Sequence, residues 1–256
     1  MIYPNQTTLL SYLSEKLNIS KKSAKKIIDQ KRVFVNNKIV WIGSYLVDPA
    51  KDRIIVLPEI KPNYEILYED ENFVIVSKSP NLVVDQHPNS LEAILKKQIG
   101  KHVKAVHRID KDTSGVVVFA KVYKVFEEVK SIWNTVEKTY YCICLNEPRF
   151  KVKEINYPVD GKSAISIVSV ISKSRGLCLM KVRIFTGRKH QIRIHLSLIG
   201  HPVLGDYVYG PKVMNIMVAR QMLHAYKIEF SFRGKVVRAI SELPEDMNQI
   251  IHEYGL

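Results

Sequence analysis

The sequence is poor in the features that mark secreted, membrane-spanning or nucleotide-hydrolysing proteins. It has three cysteines in 256 residues, Cys142, Cys144 and Cys178, an odd and small number that cannot staple a disulfide scaffold. Cys142 and Cys144 stand two apart in Tyr141-Cys142-Ile143-Cys144-Leu145, which reads as a strand, and no second Cys/His pair has metal-ligand spacing. The three are expected to be buried thiols of a reduced, cytoplasmic protein. No apolar run reaches the roughly 18 residues that a membrane helix needs. Met1 to Asn5 carry neither a basic nor an apolar leader region, so no secretory signal is expected. Glycine is limited to 11 positions, and Gly43, Gly100, Gly161 and Gly176 are isolated, so no phosphate-cradling loop is read. No metal and no cofactor are expected.

What the chain has is positive charge: 39 basic against 25 acidic residues, net +14. Such an excess attracts polyanions over about a Debye length, roughly 8–10 Å in ordinary salt. The absence of a long basic amphipathic helix favours nucleic acid over a membrane surface. With 46% hydrophobic residues, a sizeable core can form around this charge.

Two units are expected, residues 1–58 and 59–256, joined at the proline-interrupted stretch Pro58-Glu59-Ile60-Lys61-Pro62-Asn63. In the first, Leu9, Leu10, Leu13 and Leu17 repeat at helical spacing. Ser20 is placed to cap a second helix running to about Gln30, with Ala24, Ile27 and Ile28 as its apolar stripe. Lys21, Lys22, Lys25 and Lys26 stand away from that stripe, either as a phosphate-binding face or as a merely solvated one. Val33 to Val35 and Ile39 to Trp41 read as strands around an Asn36-Asn37 turn. The second unit mixes strands (Phe73–Ser77, Gly115–Lys121, Lys138–Leu145, Cys178–Phe185, Ala225–Phe232) with helices at Leu91–Gln98, Val122–Trp133 and His190–Leu198.

One segment concentrates chemistry. His107-Arg108-Ile109-Asp110-Lys111-Asp112-Thr113-Ser114-Gly115 runs straight into the apolar strand Val116 to Ala120, as a functional loop on a rigid scaffold does. A carboxylate flanked by arginine and lysine is expected to stay in its charged form, able to act as nucleophile or base. By itself the pattern could also be an ordinary charged turn.

Residues 107 to 115 resemble the His-Arg-Leu-Asp-x-x-Thr-Ser-Gly signature of the RluA-type pseudouridine synthases, with Ile109 in place of leucine. Further matching stretches follow in order: Asp70 to Pro80 with His87-Pro88, Lys138-Thr139-Tyr140, Thr186 to Leu196, Gly200 to Gly210, and Leu223-His224-Ala225. The resemblance spans residues 66 to 246. Residues 20 to 40 are similar to the small RNA-binding module first described in a small-subunit ribosomal protein (the S-four type), although its usual opening Arg-Leu-Asp is replaced by Thr8-Leu9-Leu10.

The resemblance implies an α+β protein. The small helix-helix-strand module would precede a mixed, mostly antiparallel sheet with flanking helices. It implies Asp110 as the catalytic aspartate, Tyr140 as the ring stacking on the uracil, and Arg193 as the basic partner of Asp110, with Arg188 the second candidate. His107, Arg108, Thr113, Ser114, Arg188, His190, Gln191 and the four lysines are expected on the RNA side. Arg108 would fill the space of a flipped base, while His190 and Gln191 would brace the loop more than touch the uridine. Asp112 falls on a variable position and receives no role. The partner is RNA, large-subunit ribosomal RNA before transfer RNA, and the protein is expected to be a monomer. Two competing readings remain at this level. One is an RNA chaperone or ribosome-assembly factor without turnover. The other is a glycosidase using Asp110 and Asp112, which would need carboxylates about 5–10 Å apart across a sugar.

Overall fold

A computed structural model describes residues 6–211 and 216–256. The reading of Met1–Asn5 as leader-free lies outside the described residues. Two compact units emerge: Met1–Glu59 with Pro211–Ala219, and Ile60–Gly210 with Arg220–Leu256.

The first unit contains β1 (Thr7–Thr8), α1 (Leu9–Lys16), α2 (Lys21–Asp29), β2 (Val33–Val35), β3 (Lys38–Ile39), β4 (Leu46–Val47) and β5 (Ile54–Val56). Both helices begin at side-chain caps: Thr8 Oγ1 accepts from Ser11 N at 3.2 Å and Ser20 Oγ from Ser23 N at 3.1 Å, which satisfies amides with no partner inside the helix. Leu9 and Leu13 of α1 and Ala24 and Ile28 of α2 close over Val33, Val35, Val40 and Val47. Asn36 and Asn37 adopt φ of 50° and 64°, the left-handed pair that a tight β2–β3 hairpin requires. The four lysines of α2 are all exposed. Lys25 pairs with Asp29 at 2.7 Å and Lys26 with Glu59 at 3.0 Å, whereas Lys21 and Lys22 make no ion pair among the described residues.

The second unit contains β6 (Tyr64–Glu69), β7 (Phe73–Lys78), α3 (Leu91–Gln98), β8 (Lys104–Ala105), β9 (Ser114–Ala120), α4 (Tyr123–Ile132) and β10 (Glu137–Leu145). It continues with β11 (Val152–Ile155), β12 (Ser166–Ser174), β13 (Leu177–Ile184), α5 (Gln191–Leu198), β14 (Leu223–Phe232), β15 (Lys235–Ile240) and α6 (Glu245–Tyr254). One sheet runs β11-β12-β13-β10-β14-β9-β7-β6, with β15 also on β14 and β8 on β9. Among the described residues, every pairing in it is antiparallel except β9 with β14.

The central strands are buried on both faces, so their sequences read as continuous apolar runs. Val117 and Phe119 of β9 join Leu91 and Leu95 of α3 on one face. Val116, Val118 and Ala120 join Val125, Phe126 and Val129 of α4 on the other. Each large side chain so buried contributes roughly 1.5–3 kcal/mol. Cys142, Cys144 and Cys178 are buried thiols in the first of these cores, with the Sγ atoms of Cys142 and Cys144 3.5 Å apart.

The parallel seam depends on Gly115. It pairs with Ala225 of β14 on one side and Lys78 of β7 on the other. Its φ is +113°, and a Cβ there would lie 2.1 Å from the Ala225 carbonyl oxygen, backbone that cannot yield without breaking the sheet. Gly115→Ala is therefore expected to destabilise the second unit by at least about 3 kcal/mol or to prevent folding. Urea unfolding of the full chain measures this, and a loss of unfolding free energy below about 1 kcal/mol would show that the seam can open.

Candidate active site

The loop 107–113 enters β9 at this seam, and one of its carboxylates meets a buried guanidinium. Arg193, in the first turn of α5 and 5% exposed, donates from Nη1 to Asp110 Oδ2 at 2.8 Å. Its remaining fork is taken by Asp206: Nε to Oδ2 at 2.7 Å and Nη2 to Oδ1 at 2.8 Å. Asp206 Oδ1 also accepts from the amides of Val208 and Tyr209 at 3.0 and 3.1 Å. Burial alone would lower the basicity of Arg193. The hydrogen bonds and charge of Asp206, then those of Asp110, outweigh it and push the pKa above its ordinary value. Burial likewise disfavours the Asp206 carboxylate, but Arg193 and the two amides hold its pKa below the usual range. The pair is thus fixed as ions.

Asp110 keeps its other oxygen toward His190, whose Nε2 is 3.7 Å from Oδ1. His190 Nδ1 lies 2.9 Å from the Tyr209 hydroxyl, and the Tyr209 ring sits 5.2 Å from the Arg193 guanidinium carbon. His190 has φ of 57° at the start of α5, an uncommon conformation for a residue with a Cβ. Burial lowers its pKa against the opposing pull of Asp110.

These groups border one open pocket. Arg108, Asp110, Arg188 and His190 supply polar walls; Ile109, Tyr140, Ile184, Ile192 and Leu223 supply apolar ones. Tyr140 projects from β10 beside a bulge between Thr139 and Tyr140 in the pairing with β14, and is 7% exposed. Its burial, then the Asp110 charge, raises the phenol pKa, so the ring enters the pocket as a neutral face. A flat apolar ring opposite a carboxylate held by a guanidinium suits a planar base attached to a sugar.

The match to known proteins agrees with this geometry. A family model described as RNA pseudouridylate synthase matches residues 72–198, and an S4 domain model matches residues 8–54. An uncharacterized RNA pseudouridine synthase of Mycoplasma pneumoniae is 31% identical over 259 residues, covering 86% of this chain and 83% of that protein. The chain belongs to the RNA pseudouridine synthase family. It is an isomerase, with RNA as its substrate and an S4 domain at its N-terminal end. A ribosomal large subunit pseudouridine synthase D of Nitrosomonas europaea is 31% identical over 220 residues, 73% of this chain and 64% of that protein. The solved human RNA pseudouridylate synthase domain containing 4 shares the fold, with a TM-score of 0.62 at 24% identity over 73% of this chain and 91% of that one. No helix among the described residues is long and apolar enough to cross a membrane.

Within this synthase, Asp110, Tyr140, Arg193, Arg108, Arg188 and His190 converge on one pocket, which Thr113 and Gln191 also border, whereas His107 and Ser114 do not line it. His107 is part of the scaffold: its Nε2 accepts from Val118 N at 3.1 Å and its ring stacks on Trp133 at 4.9 Å. Burial, reinforced by the charges of Lys138 and Lys130, pushes its pKa down to about 3. Thr113 and Ser114 are each 2% exposed; Thr113 borders the pocket and Ser114 does not. The Ser114 hydroxyl meets His224 Nδ1 at 2.8 Å, and Thr113 Oγ1 accepts from Gln221. Gln191, also 2% exposed, ties Thr186 and the Arg188 amide to Ile165 and Ser166. Arg188 is exposed, donates to the Ser163 carbonyl at 3.1 Å, and makes no ion pair with Asp110.

Three residues escaped the sequence reading as parts of the site: Asp206, Tyr209 and Lys78. The first two lie in the Gly205-Asp206-Tyr207-Val208-Tyr209-Gly210 stretch, a visible signal with no role attached. Lys78 ends β7 fully buried and donates to the carbonyls of Ser79 at 2.8 Å and Lys111 at 3.0 Å. Burial pushes it down to about 7, against the attraction of Asp112.

The buried imidazoles set a pH limit. His224 Nε2 faces the Ser241 carbonyl at 2.8 Å, and burial lowers its pKa to about 4. The unfolded chain takes up these protons near pH 6.5, while folded His224 and His107 resist until about 4 and 3. Between those limits the unfolded state binds more protons, so stability falls as pH falls. Tm is expected to drop from pH 6.5 toward pH 4 by on the order of 5 °C or more, and His224→Gln to flatten the slope. An unchanged slope in that variant would remove His224 from the account.

Proposed function

We propose that this synthase converts selected uridines of structured RNA to pseudouridine with Asp110 as the reacting carboxylate and without a cofactor. Large-subunit ribosomal RNA is the first substrate class and transfer RNA the second. Residues 1–58 serve as the RNA-binding module and 59–256 as the catalytic domain. The observation that carries the reading is the ion pair of Asp110 with Arg193 at 2.8 Å beside the Tyr140 ring in an open pocket. The name of the Nitrosomonas europaea relative supports the ribosomal substrate.

The reaction breaks the bond from ribose C1′ to uracil N1, turns the freed base, and joins C1′ to C5. The C5 proton leaves to solvent and N1 gains one, so no oxidant, reductant or second substrate is consumed. A stacked base is out of reach, and extruding one costs a few kcal/mol. Exposed Arg108 at the pocket edge is suited to occupy the vacated space. Tyr140 holds the uracil face while the base turns. Arg193 keeps the Asp110 carboxylate aimed, whether it attacks C1′, attacks the ring or removes a ribose proton. All three routes need the negative charge.

Asp110→Asn is nearly isosteric and leaves a hydrogen-bonding oxygen for Arg193. It should bind RNA within about tenfold of the parent, roughly 1.4 kcal/mol, and form no pseudouridine. Asp112→Asn, which removes the same charge from the same loop, should remain substantially active. Tritium release from C5-labelled uridine RNA measures both, and parent-like turnover by Asp110→Asn would overturn the assignment.

The lysine face of α2 gives a separate test. Replacing Lys21, Lys22, Lys25 and Lys26 with Gln should flatten the salt dependence of RNA binding by up to about 0.7–0.9 log units for each phosphate no longer neutralised. Lys21 and Lys22, not shared with an acidic side chain among the described residues, should account for most of it. Turnover on saturating RNA should change little. An unaltered salt slope would make the face a solvated one.

A further inference from the structure

Arg193 fixes the side chain of Asp110, but a carboxylate is only as well placed as the backbone that carries it. That backbone is gripped from the far side by a segment outside the signature. Arg220 Nη1 reaches the Asp112 carbonyl at 3.5 Å, Gln221 Nε2 donates to Thr113 Oγ1 at 3.3 Å, and His224 Nδ1 meets Ser114 Oγ at 2.8 Å. Residues 112, 113 and 114 are thus each engaged by a side chain from 220–224, and Lys78 Nζ holds the Lys111 carbonyl just before them. Inside the loop the Thr113 amide donates to the Asp110 carbonyl at 3.1 Å, so displacement of residues 112–114 is passed directly to Asp110.

The grip is anchored in the C-terminal helix. The Arg220 side chain is 1% exposed, and Asp246 in the first turn of α6 takes it in a two-bond fork, Nε to Oδ2 at 2.7 Å and Nη2 to Oδ1 at 2.8 Å. Its Nη1 also donates to the carbonyls of Gln221 and Leu223 at 2.9 and 3.2 Å. A guanidinium this buried needs such a partner to keep its orientation. Ser241, just before α6, does the same for His224 through its carbonyl.

We propose that Arg220, oriented by Asp246 of the C-terminal helix, is a positioning residue for the Asp110 loop, acting with Gln221 and His224 on residues 112–114. The inference rests on Asp110 being the reacting group. It makes α6, remote in sequence from the signature, part of what sets the turnover rate. Neither Arg220 nor Asp246 touches substrate, so the loss on disturbing them belongs in kcat and not in KM. Misplacement of a reacting group by about 1 Å costs up to about a hundredfold in rate.

The test uses the full chain with Asp246→Asn, Arg220→Lys, the double variant, and Glu128→Gln as comparator. Glu128 makes an equally two-pronged pair with Arg233, at 2.7 and 2.8 Å, in the same unit. Hydrogen exchange of a peptide covering 107–114 should quicken in Asp246→Asn and Arg220→Lys and stay unchanged in Glu128→Gln. On C5-tritiated large-subunit ribosomal RNA transcript, kcat should fall about ten- to a hundredfold with KM within twofold. The double variant should lose no more than the worse single one, because both act through one contact. Loop exchange at the parent rate in both single variants overturns the proposal without reference to any RNA. So does a kcat loss that merely follows the fall in Tm, or full additivity. A parent enzyme that releases no tritium would instead count against this transcript as the substrate, leaving exchange to decide this one.

Discussion

Arg193 lies at 5% exposure with each of its three guanidinium nitrogens bonded to a carboxylate. Asp206, buried itself, takes one edge of the fork, and Asp110 takes the remaining Nη1. Removing Asp206 would leave the buried charge without its two-bond partner in a place where desolvation costs several kcal/mol. Asp206, itself held by the amides of Val208 and Tyr209, makes burial of Arg193 tolerable, and Arg193 Nη1 donates to Asp110 at the pocket. Asp110 is the partner that remains partly open, its side chain 25% exposed, as a group that must meet substrate has to be.

The same constraint explains why the pocket stands at the parallel pairing of the sheet. Two antiparallel halves, β6-β7-β9 and β14-β10-β13-β12-β11, meet where Ser114 and Gly115 pass alongside His224 and Ala225. At that seam β10 brings Tyr140 next to Ala225, and α5 brings Arg193 from the loop after β13. Gly115 is what lets the halves approach, since no Cβ fits against the Ala225 carbonyl. The loop holding Asp110 therefore ends in a residue chosen by backbone space, and the Asp110 position is inherited from how closely two strands pack.

Around this seam the interior is unusually polar. Lys78, Lys138, His195, Gln191, His224 and Arg220 are all nearly or fully buried, and each spends its donors on carbonyls, hydroxyls or carboxylates. Lys138 alone reaches the carbonyls of Val136, Phe185 and Trp133. Such a network stabilises little beyond the desolvation it must offset, but it permits few alternative arrangements. The first unit is built on the opposite plan, with an apolar interior under α1 and α2 and its charge left in solvent. That separation suits a module that holds a polyanion without performing chemistry on it.

Long apolar strands and helices with periodic stripes were legible in the sequence: Leu91–Gln98 is a helix to the residue, and the runs at Phe73, Gly115, Lys138, Cys178 and Ala225 are strands within one or two residues. The helices capped by Thr8 and Ser20, the Asn36-Asn37 hairpin and the charged loop before β9 were legible for the same reason, because each is specified by residues adjacent in the chain. The strands β6, β11, β12 and β15 and the helix α6 were not seen. β11 is the edge strand and β12 lies next to it; both are half polar, with one face meeting water, and alternation there is weak. In the site, the resemblance pointed to Arg193 as the partner of Asp110, yet His107 is spent on Val118 and Trp133 and Ser114 on His224. Their residue types suit RNA contacts, and only the tertiary structure shows where their hydrogen bonds go. By itself the sequence determined the long apolar strands, the periodic helices, the charge and the family. Which carboxylate faces which cation, and which polar groups are spent inside the protein, was decided by tertiary packing, because pairs such as Asp110 with Arg193 or Ser114 with His224 are separated by more than 80 residues and meet only once the two halves of the sheet have closed.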